Sequence, residues 1–362
     1  MIWRCPRCRG TFDEGRDRLR CAGCGAGYEV VGGVPDLRLP GQGWINLADD
    51  LANARRLAAQ RGATAEDLLR QVFGARDGWD ERRVALRVRQ VLEGPERLTG
   101  EIDGWLAEVI PPDGVFLDLG CGAGPLLAAA ALRGRCGIGI DVSMTWLIVA
   151  KRLVEEAGGE AVLAAGLAEA LPLGDGAVDA ALALDVIEHV PDPDRLLAEM
   201  DRVAGGQIAV ATPNRFSLTP EPHVFVWGVG WLPRPWQAPF VRWRSGADYA
   251  DTRLMSSFGL RQRLRRNTHF AVRLLIPPIP REEIARFPPL KARAARAYNR
   301  LCMSHRLRWA FLLLAPFFRV VGRKAGAPED MEGKAIAAFA RAHSILFSAG
   351  APVVAFGSSA PC

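Results

Sequence analysis

The stretch that most constrains this chain is Val115-Phe-Leu-Asp-Leu-Gly-Cys-Gly-Ala-Gly124, an apolar run that stops in a glycine-rich turn and continues into Pro125-Leu-Leu-Ala-Ala-Ala-Ala-Leu132. The run reads as a strand buried on both faces, as in a parallel sheet, and the segment after it as a helix. Gly120, Gly122 and Gly124 let the backbone turn with no Cβ in the way, so a ligand can lie directly on the turn. A second apolar run, Gly137-Ile-Gly-Ile-Asp-Val142, ends in an acid about 20 positions on, where a β-α-β unit places a carboxylate to accept both hydroxyls of a ribose. The pair predicts a nucleoside cofactor.

Glycine turns are common, and the flanking residues decide which nucleoside fits. Asp118 sits inside the strand end, two residues before the first glycine. A phosphate-binding loop is apolar there or offers amide donors. A carboxylate repels a pyrophosphate and attracts an ammonium or a sulfonium, which suits S-adenosylmethionine rather than NAD.

Five segments then follow in order: Leu117-Asp-Leu-Gly-Cys-Gly-Ala-Gly124, Gly139-Ile-Asp-Val-Ser143, Gly166-Leu-Ala-Glu-Ala-Leu-Pro172, Val178-Asp-Ala-Ala-Leu-Ala-Leu184 and Asp185-Val-Ile-Glu-His-Val-Pro-Asp-Pro193. In sequence and spacing they resemble class I S-adenosylmethionine-dependent methyltransferases, most closely the branch that includes the ubiquinone and menaquinone biosynthesis enzymes. The resemblance covers residues 100 to 214. It implies an α/β fold, a Rossmann-like seven-stranded doubly wound sheet, with the cofactor across the carboxyl ends of the strands. It places Asp118, Gly120, Cys121, Gly122, Gly124, Asp141, Val142, Met144, Leu167, Ala168 and Asp185 around that cofactor. At Leu167 family members carry an acid that accepts from the adenine amine; here Ala168 and Glu169 offer at most backbone or neighbouring contacts. Asp185, Glu188 and His189 are, by the same resemblance, a base with orienting acids or part of a metal-assisted site. A histidine that packs on the next helix and fixes its loop by hydrogen bonds is the structural alternative.

Near the N-terminus, Cys5-Pro-Arg-Cys8 and Cys21-Ala-Gly-Cys24 are separated by 12 residues. Each pair presents two thiolates to one tetrahedral metal, and so short a segment has too little core to fold without such a staple. The reading is a structural zinc ribbon with Cys5, Cys8, Cys21 and Cys24 as ligands; a disulfide pair or a redox site suits the expected cytoplasmic location less well. The segment resembles the small zinc-binding domains in front of, or partnering, methyltransferases of RNA and protein.

The organisation expected from these signals is a zinc ribbon (1–40), a helical cap or linker (41–110), a methyltransferase domain (111–325) with substrate-lid insertions near 215–250 and 277–308, and a helical tail (326–362). Thr64 and Ser143 are predicted helix caps, and Met255-Ser-Ser-Phe258 opens a Ser-capped helix pattern. Phe317–Lys324 is expected as the last strand, which the resemblance puts at the sheet edge, antiparallel. No apolar run reaches the 18 residues of a membrane span, and Met1-Ile-Trp-Arg-Cys-Pro6 is no signal peptide, hence the cytoplasmic expectation.

The formal charge of +6 is unevenly spread: residues 215–324 hold 21 Lys and Arg against 5 Asp and Glu. That half suits an acidic partner, such as a phosphorylated or carboxylated metabolite, an anionic lipid surface touched peripherally, or RNA; a merely solvated face is the bland alternative. Within it, Pro220-Glu-Pro-His-Val-Phe-Val-Trp-Gly-Val-Gly-Trp-Leu-Pro-Arg-Pro-Trp236 is rich in proline and tryptophan and lacks periodicity, and reads as a substrate wall. His223 in that wall is the leading general-base candidate, with His189 and Asp185 beside it in the list of catalytic candidates. Arg215, Trp227 and Trp231 are candidate lining residues, and Arg242, Arg244 and Tyr249 a candidate clamp for an anion. The function predicted is methyl transfer to an O, N or C nucleophile of a small or lipid-like, anionic metabolite. RNA methylation using the ribbon and the basic half is the alternative, and a cofactor-binding scaffold without activity the third.

Overall fold

A computed structural model describes residues 2–13, 15, 17–39, 45–279, 284–285, 287–302 and 308–324; the tail helix expected over Met331–Phe347 lies outside them. The chain divides into two compact units, one of residues 1–182 and 199–208 with Lys324, the other of residues 183–198 and 209–323.

In the first unit the cysteine-rich segment forms a four-stranded antiparallel sheet: β1 (Phe12–Asp13), β2 (Arg18–Cys21), β3 (Gly27–Val31) and β4 (Val34–Pro35). Its small core is Phe12 edge-on to Tyr28 at 5.5 Å, with Leu19 buried opposite Tyr28 on β2. So little apolar area cannot hold a sheet alone, which is why the thiol cluster below matters. Beyond β4 the chain pairs at Asp36 with Ala165, and the Leu37 amide donates to the Ala165 carbonyl at 2.8 Å.

Four helices follow, α1 (Leu47–Ala58), α2 (Ala65–Gly74), α3 (Glu81–Leu92) and α4 (Gly94–Asp103). Thr64 starts α2 through a capping box: its hydroxyl accepts from the Asp67 amide while Asp67 accepts from the Thr64 amide. Leu68, Leu69 and Phe73 form the buried stripe of α2.

The main sheet has the order β10-β11-β9-β8-β5-β6-β7, with β5 Val115–Leu119, β6 Cys136–Asp141, β7 Val162–Ala165, β8 Val178–Leu184, β9 Ala204–Pro213, β10 Phe270–Leu275 and β11 Phe317–Lys324. β5, β6 and β7 are parallel, in the register Leu117↔Ile138↔Val162. Helices α5 (Pro125–Ala131) and α6 (Met144–Glu156) make the crossovers, and α7 (Pro193–Val203) connects β8 to β9. A Cβ on Gly137 or Gly139 would lie under 3 Å from Phe116, Leu127 or Leu163, so glycine here is a packing requirement of α5 on β6. The strand order reverses beside β5, which makes its carboxyl end the topological switch point where open α/β sheets bind ligands.

One expectation is corrected. β11 is not at the edge; it lies between β9 and β10, and β10 takes the edge. Phe318 and Val320 on one face of β11 and Val321 on the other are all buried, as a strand paired on both sides requires. In the second unit the Pro-Trp segment leads into α8 (Arg234–Ser245) and α9 (Ser257–Asn267), the latter capped by Ser256, whose hydroxyl accepts from Gly259. Val226, Val229, Val241 and Tyr249 form a core of their own there. Among the described residues no helix is long and apolar enough to cross a membrane.

Candidate functional site

At the end of β5 the chain turns through Gly120, Gly122 and Gly124, all with φ between 52° and 75°, a region that disfavours side chains. A Cβ on Gly122 would meet nothing within 4 Å, so this turn faces open space; one on Gly124 would lie 2.8 Å from the Ala150 Cβ, so that glycine lets α6 approach. Asp141, at the end of β6, accepts from the Gly122 amide and the Ser143 amide, each at 2.8 Å, and thereby ties the two loops together. Asp118 is 5% exposed, and burial together with the nearby Asp141 pushes its carboxyl up to about 8. Burial raises Asp141 as well, against its amide donors. Two acids held at a cost beside a glycine turn favour a ligand that brings positive charge.

Around this turn Cys121 is buried and its thiol is pushed well up by burial. Met144 is fully buried at the start of α6, and Leu167 sits in a tight turn closed by the Ala170 amide. Val142 and Ala168 are placed on the loops after β6 and β7.

The second unit holds a separate cluster. His223 is gripped by Glu221, whose Oε1 lies 2.5 Å from Nδ1 while its Oε2 accepts from the amides of His223 and Val224. The other imidazole nitrogen, Nε2, is 3.1 Å from Nε2 of His189, the rings meeting edge-on. Burial lowers His223, but the hydrogen bond and charge of Glu221, with Glu188 and Asp185, outweigh it and hold the imidazole above its ordinary value. Burial and the facing His223 push His189 down to about 4. Protonated, His223 donates from Nε2 to a neutral His189; deprotonated, with Nδ1–H still on Glu221, its Nε2 is an acceptor.

Glu188 is fully buried; Thr212 donates to its Oε2 at 3.0 Å, and its Oε1, 3.9 Å from His223 Nε2, has no hydrogen-bond partner. Burial, then the charge of Asp185, pushes Glu188 up to about 7. Glu188, His189 and His223 bring ligand atoms within 4.8 Å of one another, so their donor set fits a divalent cation. Asp185 adopts φ 57° at the end of β8, uncommon for a residue with a side chain, and burial raises its carboxyl.

The candidate lining residues are placed differently from one another. The Arg215 guanidinium donates to the Gly230 carbonyl at 2.9 Å and bears on the Phe216 ring, which holds the loop in shape. Trp227 and Trp231 are 61% and 50% exposed, each anchored by its indole N–H to a backbone carbonyl, of Leu218 and Ser217. Tyr249 is buried in the local core, whereas Arg242 and Arg244 are exposed on α8. Glu221 is the residue of this cluster that the candidate set lacked, although Glu221-Pro-His223 carried the signal.

In the ribbon, Cys5 and Cys24 Sγ are 3.7 Å apart and Cys8 and Cys21 3.4 Å, with all four thiols within 4.8 Å. A zinc–sulfur bond of about 2.3 Å gives tetrahedral edges of roughly 3.7 Å, so the thiols fit a single zinc ion. A Cβ on Gly10 would lie 3.1 Å from Cys21 Sγ and 3.3 Å from Cys8 Sγ, so glycine lets the chain pass close to the thiols.

Comparison with known proteins accords with this geometry: residues 117–210 match the family described as "Methyltransferase domain". The chain is 35% identical over 128 residues to a ubiquinone biosynthesis O-methyltransferase of Dechloromonas aromatica, covering 33% of this chain and 53% of the relative. It is 37% identical over 118 residues to the Pseudomonas putida (strain W619) protein of the same name, covering 31% and 50%. The chain thus spans about half the length of the relatives it matches. Among solved structures, an S-adenosylmethionine-dependent methyltransferase from Mesorhizobium loti is similar over 60% of this chain and 95% of that one, with a TM-score of 0.43 and 18% identity. The matched range of the methyltransferase domain begins inside β5 and ends inside β9; the ribbon, α1 to α4 and residues 211–324 lie outside it.

Proposed function

We propose that the chain transfers a methyl group from S-adenosylmethionine to a hydroxyl of a small or lipid-like, anionic acceptor. What supports the cofactor is a pair of acids, buried Asp118 and half-buried Asp141, at an open glycine turn at the switch point of a parallel sheet. The relatives' printed name, an O-methyltransferase, accords with a hydroxyl acceptor.

Bound there, S-adenosylmethionine supplies a methyl group activated by a positively charged sulfur. The chain's residues then have three tasks: to hold the nucleoside, to align the acceptor and to take its proton. Asp141 is the ribose acceptor and Asp118 the counter-charge. His223, with Glu221 fixing Nδ1–H, presents Nε2 as the proton acceptor, and Glu221 stabilises the imidazolium that results. Zinc on Cys5, Cys8, Cys21 and Cys24 has a structural role, since four thiolates leave no open position.

A second use of the same side chains is favoured by the orphaned Oε1 of Glu188: Glu188, His189 and His223 would hold a divalent cation, which would supply Lewis-acid polarisation of the acceptor hydroxyl. The two are told apart by activity after chelation followed by return of magnesium. The main test is incubation with methyl-labelled cofactor and fractionated extract. Label in small or lipid-like anionic metabolites is expected; label confined to RNA overturns the acceptor class, and no label in any fraction overturns the enzymatic reading.

A further inference from the structure

The residues between the ribbon and α1 do more than connect them. Arg38, whose side chain is 1% exposed, grips Asp36 with a two-pronged contact, Nε and Nη2 each at 2.7 Å. Its third nitrogen, Nη1, donates to Asp50 at 2.6 Å and to the Val142 carbonyl at 2.9 Å. Val142 directly follows the ribose-acceptor candidate Asp141.

Asp50 lies in the first turn of α1 but acts on another helix. It accepts from the Met144 amide at 2.8 Å, the Thr145 amide at 3.2 Å and the Ser143 hydroxyl at 2.7 Å, and its backbone carbonyl accepts from the Thr145 hydroxyl. These are the first amides of α6, which have no partner inside their own helix, and a carboxylate at that end also meets the positive pole of the helix dipole. Ser143 reaches only the Trp146 amide, at 3.4 Å, so most of the capping comes from Asp50 across more than ninety residues of sequence. Burial raises Asp50, but these donors and Arg38 outweigh it and hold the carboxylate charged.

We propose that Arg38 and Asp50 are positioning residues of the nucleoside site. They clamp the turn from Val142 to Thr145 so that Asp141 is aimed before the ligand arrives. Asp141 has two oxygens already committed to Gly122 and Ser143, and the latter amide belongs to the clamped turn. If the turn relaxes, Asp141 loses one of the two donors that orient it. The clamp also links the ribbon tail to the cofactor loop, because Asp36 and Leu37 are anchored on Ala165. Removing Arg38 leaves two largely buried acids sharing no cation, and removing Asp50 leaves both Arg38 and the α6 amides short of an acceptor.

This proposal rests on the cofactor reading above, and one set of measurements separates the two. Affinity for S-adenosylhomocysteine is measured by calorimetry on the full chain for the wild type, Arg38→Met, Asp50→Ala, Asp50→Asn and Leu57→Ala, with the melting temperature of each. Leu57 is a buried residue of the same helix with no polar link to the turn. Expected is a dissociation constant raised about 10-fold in Arg38→Met and Asp50→Ala, the scale seen for outer-shell partners of a binding residue. Asp50→Asn, which keeps an acceptor and loses the charge, is expected to fall between, and Leu57→Ala to melt lower at unchanged affinity. In methyl transfer the clamp variants raise KM for the cofactor with little change in kcat. If they bind as the wild type does, or if Leu57→Ala weakens binding as much, the clamp has no positioning role. If the wild type itself does not bind, the cofactor reading falls and the proposal falls with it.

Discussion

Replacing Glu221 by Gln tests the Glu221–His223 pair without emptying the site. Glu221 is 5% exposed, and its Oε2 holds the amides of His223 and Val224, which a Gln carbonyl continues to satisfy. What the substitution removes is the negative charge 2.5 Å from Nδ1. A hydrogen bond to a charged partner contributes about 1.5–3 kcal/mol, and each 1.36 kcal/mol is one pH unit of titration midpoint, so the His223 midpoint falls by about 1–2 units. Burial, which already opposes the imidazolium, acts in the same direction once the carboxylate is gone. With only five histidines in the chain, the His223 signal is assigned by NMR through its loss in His223→Gln and followed from pH 4 to 9 in both proteins. A general base works deprotonated, so the wild-type rate falls on the acid side of a midpoint above the ordinary histidine value, and in Glu221→Gln this limb moves to lower pH. Identical midpoints in the two proteins would refute the assignment of Glu221 as the residue that tunes His223.

Two further outcomes follow from the same geometry. Asp118, raised to about 8, keeps a proton in the folded chain that the unfolded chain gives up above about pH 4, so its contribution lowers stability progressively from pH 4 to 8. Asp118→Asn is therefore expected to melt above the wild type at pH 8, to match it near pH 4, and to bind S-adenosylmethionine more weakly; a melting difference independent of pH would contradict this. Chelation at neutral pH is expected to release about one zinc per chain and to expose the ribbon to proteolysis, because four thiolates supply what its small core does not; metal analysis of the purified chain gives the count, and a metal-free ribbon with undiminished protease resistance would rule out the zinc assignment.

Much of the architecture could be read from local patterns, for physical reasons that differ by element. The run Val115–Leu119 and the run Cys136–Asp141 are buried on both faces, so their apolar continuity is visible without knowledge of neighbours. The capping box at Thr64 and the cap at Ser256 are equally local. The place of β11 was not legible: an apolar strand looks the same at the edge or one position inside, and only its partners decide. The candidate residues were uneven in the same way. Gly122 and Asp141 belong to a spaced motif, but the cap that Asp50 gives to α6 joins residues more than ninety apart, and nothing in its own neighbourhood, Leu47-Ala-Asp-Asp-Leu51, marks it. The arginines at 242 and 244 were grouped with Tyr249 by proximity in sequence, whereas the turn at Gly246 sends the tyrosine into the core and leaves them outside.

The most direct test is calorimetric titration of the 362-residue chain with S-adenosylmethionine and, in parallel, with NAD. The account predicts saturable, one-to-one binding of the sulfonium nucleoside, lost in Asp141→Asn, and no heat from the dinucleotide. Binding of NAD with no response to S-adenosylmethionine would contradict it.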